Sequence, residues 1–199
     1  MKKVLISLII SVGLISAAQA GDAVAGKTKA ATCGACHGAD GNSLAPNFPK
    51  IAGQGERYLV KQITDIKNGD RQVPEMTGFV MGLNETDIAD ISAYFASQKA
   101  SGGAADPALV EAGKRIFLGG NEATGVPACI ACHSADGKGI PAAGFPRVAG
   151  QHAAYTEKQL MDFYNAKRTN DASNVMRDIA SRMHMDEIKA VSSYIQGLK

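Results

Sequence analysis

The cysteines of the chain fall in two copies of one short motif. Residues 33–37 read Cys-Gly-Ala-Cys-His and residues 129–133 read Cys-Ile-Ala-Cys-His, and these motifs contain all 4 cysteines of the 199 residues. The C-x-x-C-H spacing is typical of haem c attachment, in which the two sulfurs add to the two vinyl groups of one porphyrin edge. The histidine after the second cysteine is then held beneath the ring, where an imidazole nitrogen can bind iron. The motifs predict two covalently bound haem c groups, with His37 and His133 as iron ligands. The cysteines that would carry the haems are Cys33, Cys36, Cys129 and Cys132.

Two other kinds of site use paired cysteines. A thioredoxin-like dithiol lies beside a βαβ pattern, and no run of alternating β-branched residues flanks either motif. A zinc site needs four ligands, so two C-x-x-C pairs would have to come together. The histidine that directly follows the second cysteine of each motif would then stay unexplained. Haem attachment accounts for every cysteine and for both histidines.

The composition and the first twenty residues bound the class of protein. With 45% hydrophobic and 20% charged residues, the chain is neither disordered throughout nor a multi-span membrane protein. Residues 1–20 have the parts of a secretory signal peptide, with Lys2 and Lys3, an apolar run too short for a bilayer of about 30 Å, and small residues before a cleavage site after Ala20. This predicts export to the periplasm. The remaining chain has 19 basic and 19 acidic residues, so its charge gives no case for nucleic acid.

The second half of the chain repeats the first. Residues 47–54 read Asn-Phe-Pro-Lys-Ile-Ala-Gly-Gln and residues 144–151 read Gly-Phe-Pro-Arg-Val-Ala-Gly-Gln. Matching residues are 97 positions apart here, 96 apart at the motif histidines and 100 apart near the ends of the repeats. The chain is therefore a tandem duplication with small loop insertions. We expect a signal peptide over 1–20, an N-terminal domain over 21–97, a linker over 98–105 and a C-terminal domain over 106–199.

Within each half the spacing of apolar residues is helical. Apolar residues between positions 59 and 66 recur at helical spacing, and the pattern ends at Gly69. A capping-box sequence begins at Asn84, and Asp106 followed by Pro107 predicts an N-cap with proline at the first helical position. The stretches between are rich in Gly, Pro and Asn, which is typical of loops. The pattern predicts an all-α protein with no sheet of consequence.

The sixth iron position decides what each haem can do, since methionine closes it for electron transfer and an open position allows chemistry. At the repeat offset of 100, Met76 falls on Met176, whereas Met81 and Met183 fall on residues that are not methionine. A ligand role in both halves therefore selects Met76 and Met176, with Met81 as the alternative in the first half. Both selected methionines lie in segments of loop character.

Several other polar residues are candidates for a role near the haems. His152 and His184 have no histidine counterpart in the first half, which favours surface or hydrogen-bonding roles. Three polar pairs do recur, and one hypothesis is that they bind haem propionates at a domain interface, because the planar arginine fork suits carboxylates. The alternative is that they only form solvated helix faces that are repeated with the fold. The pairs are Tyr58 and Tyr155, Gln62 and Gln159, and Arg71 and Arg168.

With these motifs the chain resembles the dihaem cytochromes c4. The resemblance rests on the two C-x-x-C-H motifs, on the repeated octapeptide, and on Gly-Gln-Gly-Glu-Arg-Tyr at 53–58 and Gly-Gln-His-Ala-Ala-Tyr at 150–155, and it covers essentially the whole mature chain. It implies two class I cytochrome c domains related by approximate two-fold symmetry, with haems facing each other across the interface and His/Met ligation in both. It further implies a periplasmic electron carrier, soluble or loosely membrane-associated, that feeds terminal oxidases. We expect the carrier to receive its electrons from a respiratory donor complex and to have no small-molecule substrate.

The resemblance also implies two local contacts. The carbonyl of Pro46 would accept a hydrogen bond from the free ring nitrogen of the ligand histidine, and its counterpart Ala143 would do so less firmly, because it lacks the fixed φ of proline. The first and last helices of each domain would cross closely where a glycine permits it. These crossings are expected at Gly26 against Tyr94 and at Gly113 against Tyr194.

Three functions from different classes are compatible with a dihaem chain. Outer-sphere electron transfer suits six-coordinate irons, which change valence without binding substrate. A dihaem redox enzyme such as a peroxidase needs one open iron, and the methionine in each half argues against it. A haem subunit of a larger oxidoreductase stays open, because the sequence does not separate it from a free carrier.

Overall fold

The structure is a computed structural model, and it describes residues 21–199. The predicted signal peptide, residues 1–20, lies outside the described residues. Between 21 and 199 the chain is helical, and the only β-type pairings are isolated bridges from Asn121 to Val126 and from Ile140 to Phe145. The all-α prediction is confirmed. No helix in this part of the chain is long and apolar enough to cross a bilayer.

Each half contributes five α-helices in the same order. The first five are α1 (Ala23–Lys29), α2 (Gly34–His37), α3 (Glu56–Asn68), α4 (Pro74–Val80) and α5 (Glu85–Ser97). The second five are α6 (Val110–Gly119), α7 (Ile130–His133), α8 (Ala153–Tyr164), α9 (Val175–Ala180) and α10 (Met185–Gly197). Short 3-10 turns occupy Ala30–Thr32, Pro141–Ala143 and Ala172–Asn174. The helix order therefore repeats as the sequence does.

The first and last helices of each half cross at a glycine, as expected. A Cβ atom on Gly26 of α1 would lie 1.9 Å from the carbonyl oxygen of Asp90 in α5. A Cβ atom on Gly113 of α6 would lie 2.2 Å from the carbonyl oxygen of Ala190 and 2.5 Å from Cβ of Tyr194, both in α10. Because no side chain fits at such distances, only glycine allows the helices to approach this closely.

Each half has its own apolar core, and one cysteine of each motif packs against it. The N-terminal core consists of Ala30, Leu59, Ile91, Tyr94 and Phe95. The C-terminal core consists of Ile116, Phe117, Val126, Met183, Ile188, Val191 and Ile195. Cys33 contacts the first core and Cys129 the second. The haem attachment points are thus fixed to the packed interior of each half.

Two of three helix-end predictions are confirmed. Gly69 ends α3 in the left-handed conformation with a φ of 84°, and Asn84 begins α5 with a complete capping box. The prediction of a helix start at Asp106 is wrong, because α6 begins at Val110. The Asp106 carboxylate accepts a hydrogen bond from the amide two residues on and closes a turn, while its own amide donates to Ser193 Oγ of α10 over 2.9 Å. The Leu109 N–H donates to the Asp106 carbonyl over 2.9 Å and closes this turn, and helical bonding starts only at Leu109, whose carbonyl accepts from the Gly113 N–H.

A lysine in α1 pairs with two carboxylates of α5. Lys29 Nζ lies 2.7 Å from an oxygen of Asp87 and 2.7 Å from an oxygen of Asp90, and the Asp22 amide donates to Asp90 over 2.8 Å. The hydrogen bonds from Lys29 hold the pKa of both carboxyls below their usual range. The position of Asp90 is alanine in the second half, at residue 190. This acid-sensitive contact therefore belongs to the N-terminal half.

We expect Asp90→Asn to destabilise the N-terminal half at pH 7 and to have a smaller effect near pH 3. A carboxyl with a lowered folded pKa stabilises the fold fully above its unfolded pKa of about 3.9, and this stabilisation is lost as the pH falls through the folded value. Thermal unfolding followed by far-UV circular dichroism at both pH values measures it, with Asp70→Asn as the exposed control. An equal loss at both pH values would contradict the expectation.

Candidate haem sites and the domain interface

The two C-x-x-C-H motifs form matching short helices. Cys33 and Cys129 each precede a four-residue helix, α2 or α7, which ends at the motif histidine. All four thiols are free and partly exposed. Desolvation against the core raises the pKa of the Cys33 thiol and raises that of Cys129 to about 11. Both halves thus present two sulfurs and one imidazole within a single helical turn.

A backbone carbonyl orients each motif histidine. His37 Nδ1 lies 2.9 Å from the carbonyl oxygen of Pro49, and His133 Nδ1 lies 2.9 Å from that of Pro146. Because a carbonyl only accepts, Nδ1 carries the proton and Nε2 keeps its lone pair. Burial lowers the pKa of both rings more than these hydrogen bonds raise it. Each ring is therefore held neutral with Nε2 free to bind a metal.

The expectation for the carbonyl acceptor is wrong by three residues. Pro49, and not Pro46, accepts the bond from His37, and its repeat counterpart is Pro146 rather than Ala143. Proline is therefore present at the acceptor in both halves, and the expected difference between them does not arise. The repeat could have identified this acceptor, because the counterpart of Pro49 is also proline, whereas the counterpart of Pro46 is alanine.

The methionines separate by burial. Met76 lies in the first turn of α4 and Met176 in the first turn of α9, and both are half-buried and outside the two core clusters. Their expected loop setting is wrong, because Pro74 starts a helix at the first site and a short helix follows Asn174 at the second. Met183 belongs to the C-terminal core and is 4% exposed, whereas Met81 is 55% exposed. Ligation by the matched pair Met76 and Met176 stays a prediction.

The residues near the motifs fit a porphyrin. Large apolar side chains are exposed in the segments that follow each motif: Leu44 and Phe79 in the first half, and Ile140 and Val175 in the second. A porphyrin face would cover apolar surface of this kind. Arg147 Nε is buried and has no hydrogen-bond partner within residues 21–199, which leaves a donor suited to a haem propionate. Together with the free thiols and Nε2 atoms, these features fit haem c in both halves.

Two glutamines join the halves through reciprocal backbone contacts. The Gln54 amide donates to the carbonyl oxygen of Arg147 over 2.9 Å and accepts from its backbone N–H over 2.7 Å. The Gln151 amide does the same with Lys50, over 2.8 and 2.9 Å. Both the glutamines and their partners are repeat equivalents, so the interface has the self-complementary form of an approximate two-fold axis. Sequence reasoning missed this role, although glutamine is the last residue of the octapeptide in both copies.

The three repeated polar pairs form a second contact across the interface. Arg71 Nη2 donates to Tyr155 Oη over 2.9 Å and to Gln159 over 3.0 Å, and Arg168 Nη2 donates to Tyr58 Oη over 3.1 Å and to Gln62 over 2.9 Å. Gln62 is 8% and Arg168 is 9% exposed, so their interpretation as solvated helix faces is wrong. Within residues 21–199, neither guanidinium forms a salt bridge with a carboxylate.

The two remaining histidines have the roles expected of them. His152 Nε2 lies 2.8 Å from the carbonyl oxygen of Ser43 and adds a further bond between the halves. His184 is exposed at the start of α10, where its backbone N–H donates to Glu187. The first-half counterpart of His152 is Gly55, which has no side chain to form such a bond, so this part of the interface is asymmetric.

Comparison with known proteins identifies the family. The family model Cytochrome c matches residues 23–99 and 110–199. The chain is 59% identical over 200 residues to cytochrome c4 of Pseudomonas aeruginosa, covering 100% of both. A crystal structure of reduced recombinant cytochrome c4 from Pseudomonas stutzeri superposes with a TM-score of 0.89 at 55% identity, covering 90% of this chain and 100% of that one. A more distant relative, the thiosulfate dehydrogenase electron acceptor of Thiomonas intermedia, is 33% identical over 171 residues, covering 84% of this chain and 78% of that one. The chain belongs to the cytochrome c4 family of dihaem electron-transfer cytochromes, with two tandem cytochrome c domains and two haem c groups attached through its C-x-x-C-H motifs.

Proposed function

We propose that the protein carries electrons in the periplasm from a respiratory donor complex to a terminal oxidase, through two irons that are each held between histidine and methionine. His37 and Met76 would hold the first iron, and His133 and Met176 the second. The observation that carries the proposal is the matched pair of anchored histidines, each with a half-buried methionine in the first turn of the equivalent short helix of its half, α4 or α9. When bound, each haem c supplies an iron that cycles between Fe(II) and Fe(III).

The chain contributes fixed ligands and no substrate position. The imidazole Nε2 and the thioether sulfur would both bind the iron of a haem, so no substrate would need to bind for its valence to change. Because a thioether is neutral and soft, a methionine ligand would favour Fe(II) more than a second imidazole would, and it would raise the reduction potential. The Pro49 and Pro146 carbonyls hold the imidazoles in one orientation, which would keep Nε2 directed at the iron in both valence states.

The periplasmic setting is supported by the secretory features of residues 1–20 and by the haem c motifs. A second candidate, the haem subunit of a larger oxidoreductase, is favoured by the similarity to the Thiomonas electron acceptor. In that role the two irons would still exchange electrons without binding substrate. The two candidate functions therefore differ in the partner chain and not in the chemistry of this chain.

An anaerobic reductive titration with reoxidation kinetics tests the proposal. We expect two electrons per chain, rapid reoxidation by membranes that contain a terminal oxidase, and slow reoxidation by hydrogen peroxide. Rapid peroxide consumption at one haem would instead indicate an open iron and a peroxidase-like enzyme.

We also propose that Arg71 and Arg168 lie near haem propionates. Support comes from two buried or half-buried guanidiniums at the interface that form hydrogen bonds only with neutral side chains. A cationic donor next to a propionate withdraws negative charge from the haem and disfavours Fe(III).

Replacement of Arg168 by glutamine is therefore expected to lower the potential of at least one haem. The loss of a charged hydrogen bond, worth about 1.5–3 kcal/mol, sets the upper limit of the change. Redox titration of both haems measures it. Arg57→Gln is the control, because the Arg57 side chain is exposed and its interdomain hydrogen bond is to the backbone carbonyl of Ala142. Unchanged potentials in the Arg168 variant would count against the propionate contact.

A further inference from the structure

One peptide group in the N-terminal half contacts both a proposed iron ligand and the other half of the molecule. Its carbonyl, from Pro49, accepts the hydrogen bond of His37 Nδ1 over 2.9 Å. Its N–H, from Lys50, donates to Gln151 Oε1 over 2.9 Å. The C-terminal half therefore reaches the first imidazole through a side-chain amide and a single peptide group.

The C-terminal half contains the mirror arrangement. The Pro146 carbonyl accepts from His133 Nδ1 over 2.9 Å, and the Arg147 N–H of the same peptide group donates to Gln54 Oε1 over 2.7 Å. Gln54 is 7% exposed, so water does not compete strongly for this bond. Each imidazole is thus linked to a glutamine of the opposite half.

The orientation of each glutamine amide is fixed by its other contacts. Gln151 Nε2 donates to the Lys50 carbonyl, and Gln151 Oε1 also accepts from the backbone N–H of His152 over 3.1 Å. Gln54 is held in the same way, by the Arg147 carbonyl and the backbone N–H of Gly55. A flipped amide would place its NH₂ group against two N–H donors, so the oxygen must face the peptide N–H.

A hydrogen bond to the N–H end of a peptide group strengthens its carbonyl as an acceptor, because bonds in a chain polarise one another. A stronger acceptor draws the Nδ1 proton and makes the imidazole a more electron-rich ligand. Such a ligand stabilises Fe(III) and lowers the reduction potential. The glutamine at the far end of the chain therefore acts on the potential without touching the iron site.

We propose that Gln151 tunes the potential of the N-terminal haem and Gln54 that of the C-terminal haem, each as a positioning residue that acts across the domain interface. This inference rests on the proposed ligation by His37 and His133. It makes the potential of each haem depend on the docking of the two domains, because opening the interface removes both glutamines from their peptide groups.

The test is a redox titration of the holoprotein in which haem methyl NMR signals, assigned to each domain, report the two potentials separately. Gln151→Leu is expected to raise the potential of the N-terminal haem and to leave the C-terminal haem nearly unchanged, and Gln54→Leu is expected to do the reverse. The matched control is His152→Ala, which removes an interdomain bond to Ser43 but touches neither peptide group. It should move neither potential.

Gln151→Met provides a second variant if the leucine variants fail to fold. Methionine nearly matches the length of glutamine but lacks the amide that bonds the Lys50 peptide group, so this variant should also raise the potential of the N-terminal haem. The tuning role would be overturned if the potentials did not move, if the haem of the mutated domain shifted, or if both haems shifted equally. These outcomes apply when the oxidised wild type shows the long-wavelength iron–sulfur band. A wild type without that band would overturn the His/Met ligation as well, so the two failures are distinguishable.

Discussion

Replacement of Met176 by alanine is expected to open the C-terminal iron, so that carbon monoxide binds one haem per chain in the reduced variant and none in the parent protein. Alanine has no donor atom, so the axial position would pass to water or remain free. The long-wavelength band of the oxidised protein should fall to about half, because one of two iron–sulfur bonds is lost. Met76→Ala should produce the same change in the N-terminal haem. Carbon monoxide titration followed by absorption spectroscopy measures both variants.

Two other methionines provide matched controls. Met183 is buried in the C-terminal core, so Met183→Ala should cost about 2–5 kcal/mol of stability and yet retain the full band and exclude carbon monoxide. Met81 is exposed, and Met81→Ala should change neither stability nor ligation appreciably. If Met81→Ala opens the N-terminal iron and Met76→Ala does not, the assignment in the first half is wrong.

Substitution of Gly113 by alanine should destabilise the C-terminal half by about 1–3 kcal/mol or more. The new Cβ atom would meet the Ala190 carbonyl oxygen at 2.2 Å, and backbone on the facing helix cannot yield as a flexible side chain can. Helices α6 and α10 would have to separate, which would loosen Phe117 and Val191 in the core between them. Chemical unfolding of the holoprotein, with the two halves analysed as separate transitions, measures the loss.

The same helix supplies the control. Gly119 also lies in α6, and no atom lies within 4 Å of where its Cβ would be. Gly119→Ala should therefore be neutral or stabilising by up to about 1 kcal/mol, through the higher helix propensity of alanine. Equal destabilisation by the two substitutions would show that the close crossing at Gly113 is not the cause.

Much of the fold could be predicted because its determinants are local. The C-x-x-C-H motif specifies its own chemistry within five residues, and Gly69 and Asn84 mark helix ends through the conformation of single residues. The tandem repeat supplied what one copy lacks, since it singled out Met76 and Met176 by requiring methionine in both halves. Family resemblance then predicted the crossings at Gly26 and Gly113 correctly.

The contacts that could not be predicted are those made between distant segments. Spacing along the chain does not say which carbonyl reaches His37, and the choice of Pro46 missed the acceptor by three residues. Asp106 has the form of an N-cap, but it caps a separate turn that is joined to Ser193 of α10, and the helix begins only at Val110. The interdomain bonds of Gln54 and Gln151 depend on how two folded halves dock, which the pattern within either half does not encode.

The absorption spectrum of the purified protein, recorded with its alkaline pyridine derivative, tests the central claim most directly. Two haems per chain are expected, together with an oxidised long-wavelength band of the strength of two iron–sulfur bonds and no change on adding carbon monoxide to the reduced protein. One haem per chain, a band of half that strength, or carbon monoxide binding to either native haem would contradict an electron carrier with two closed His/Met irons.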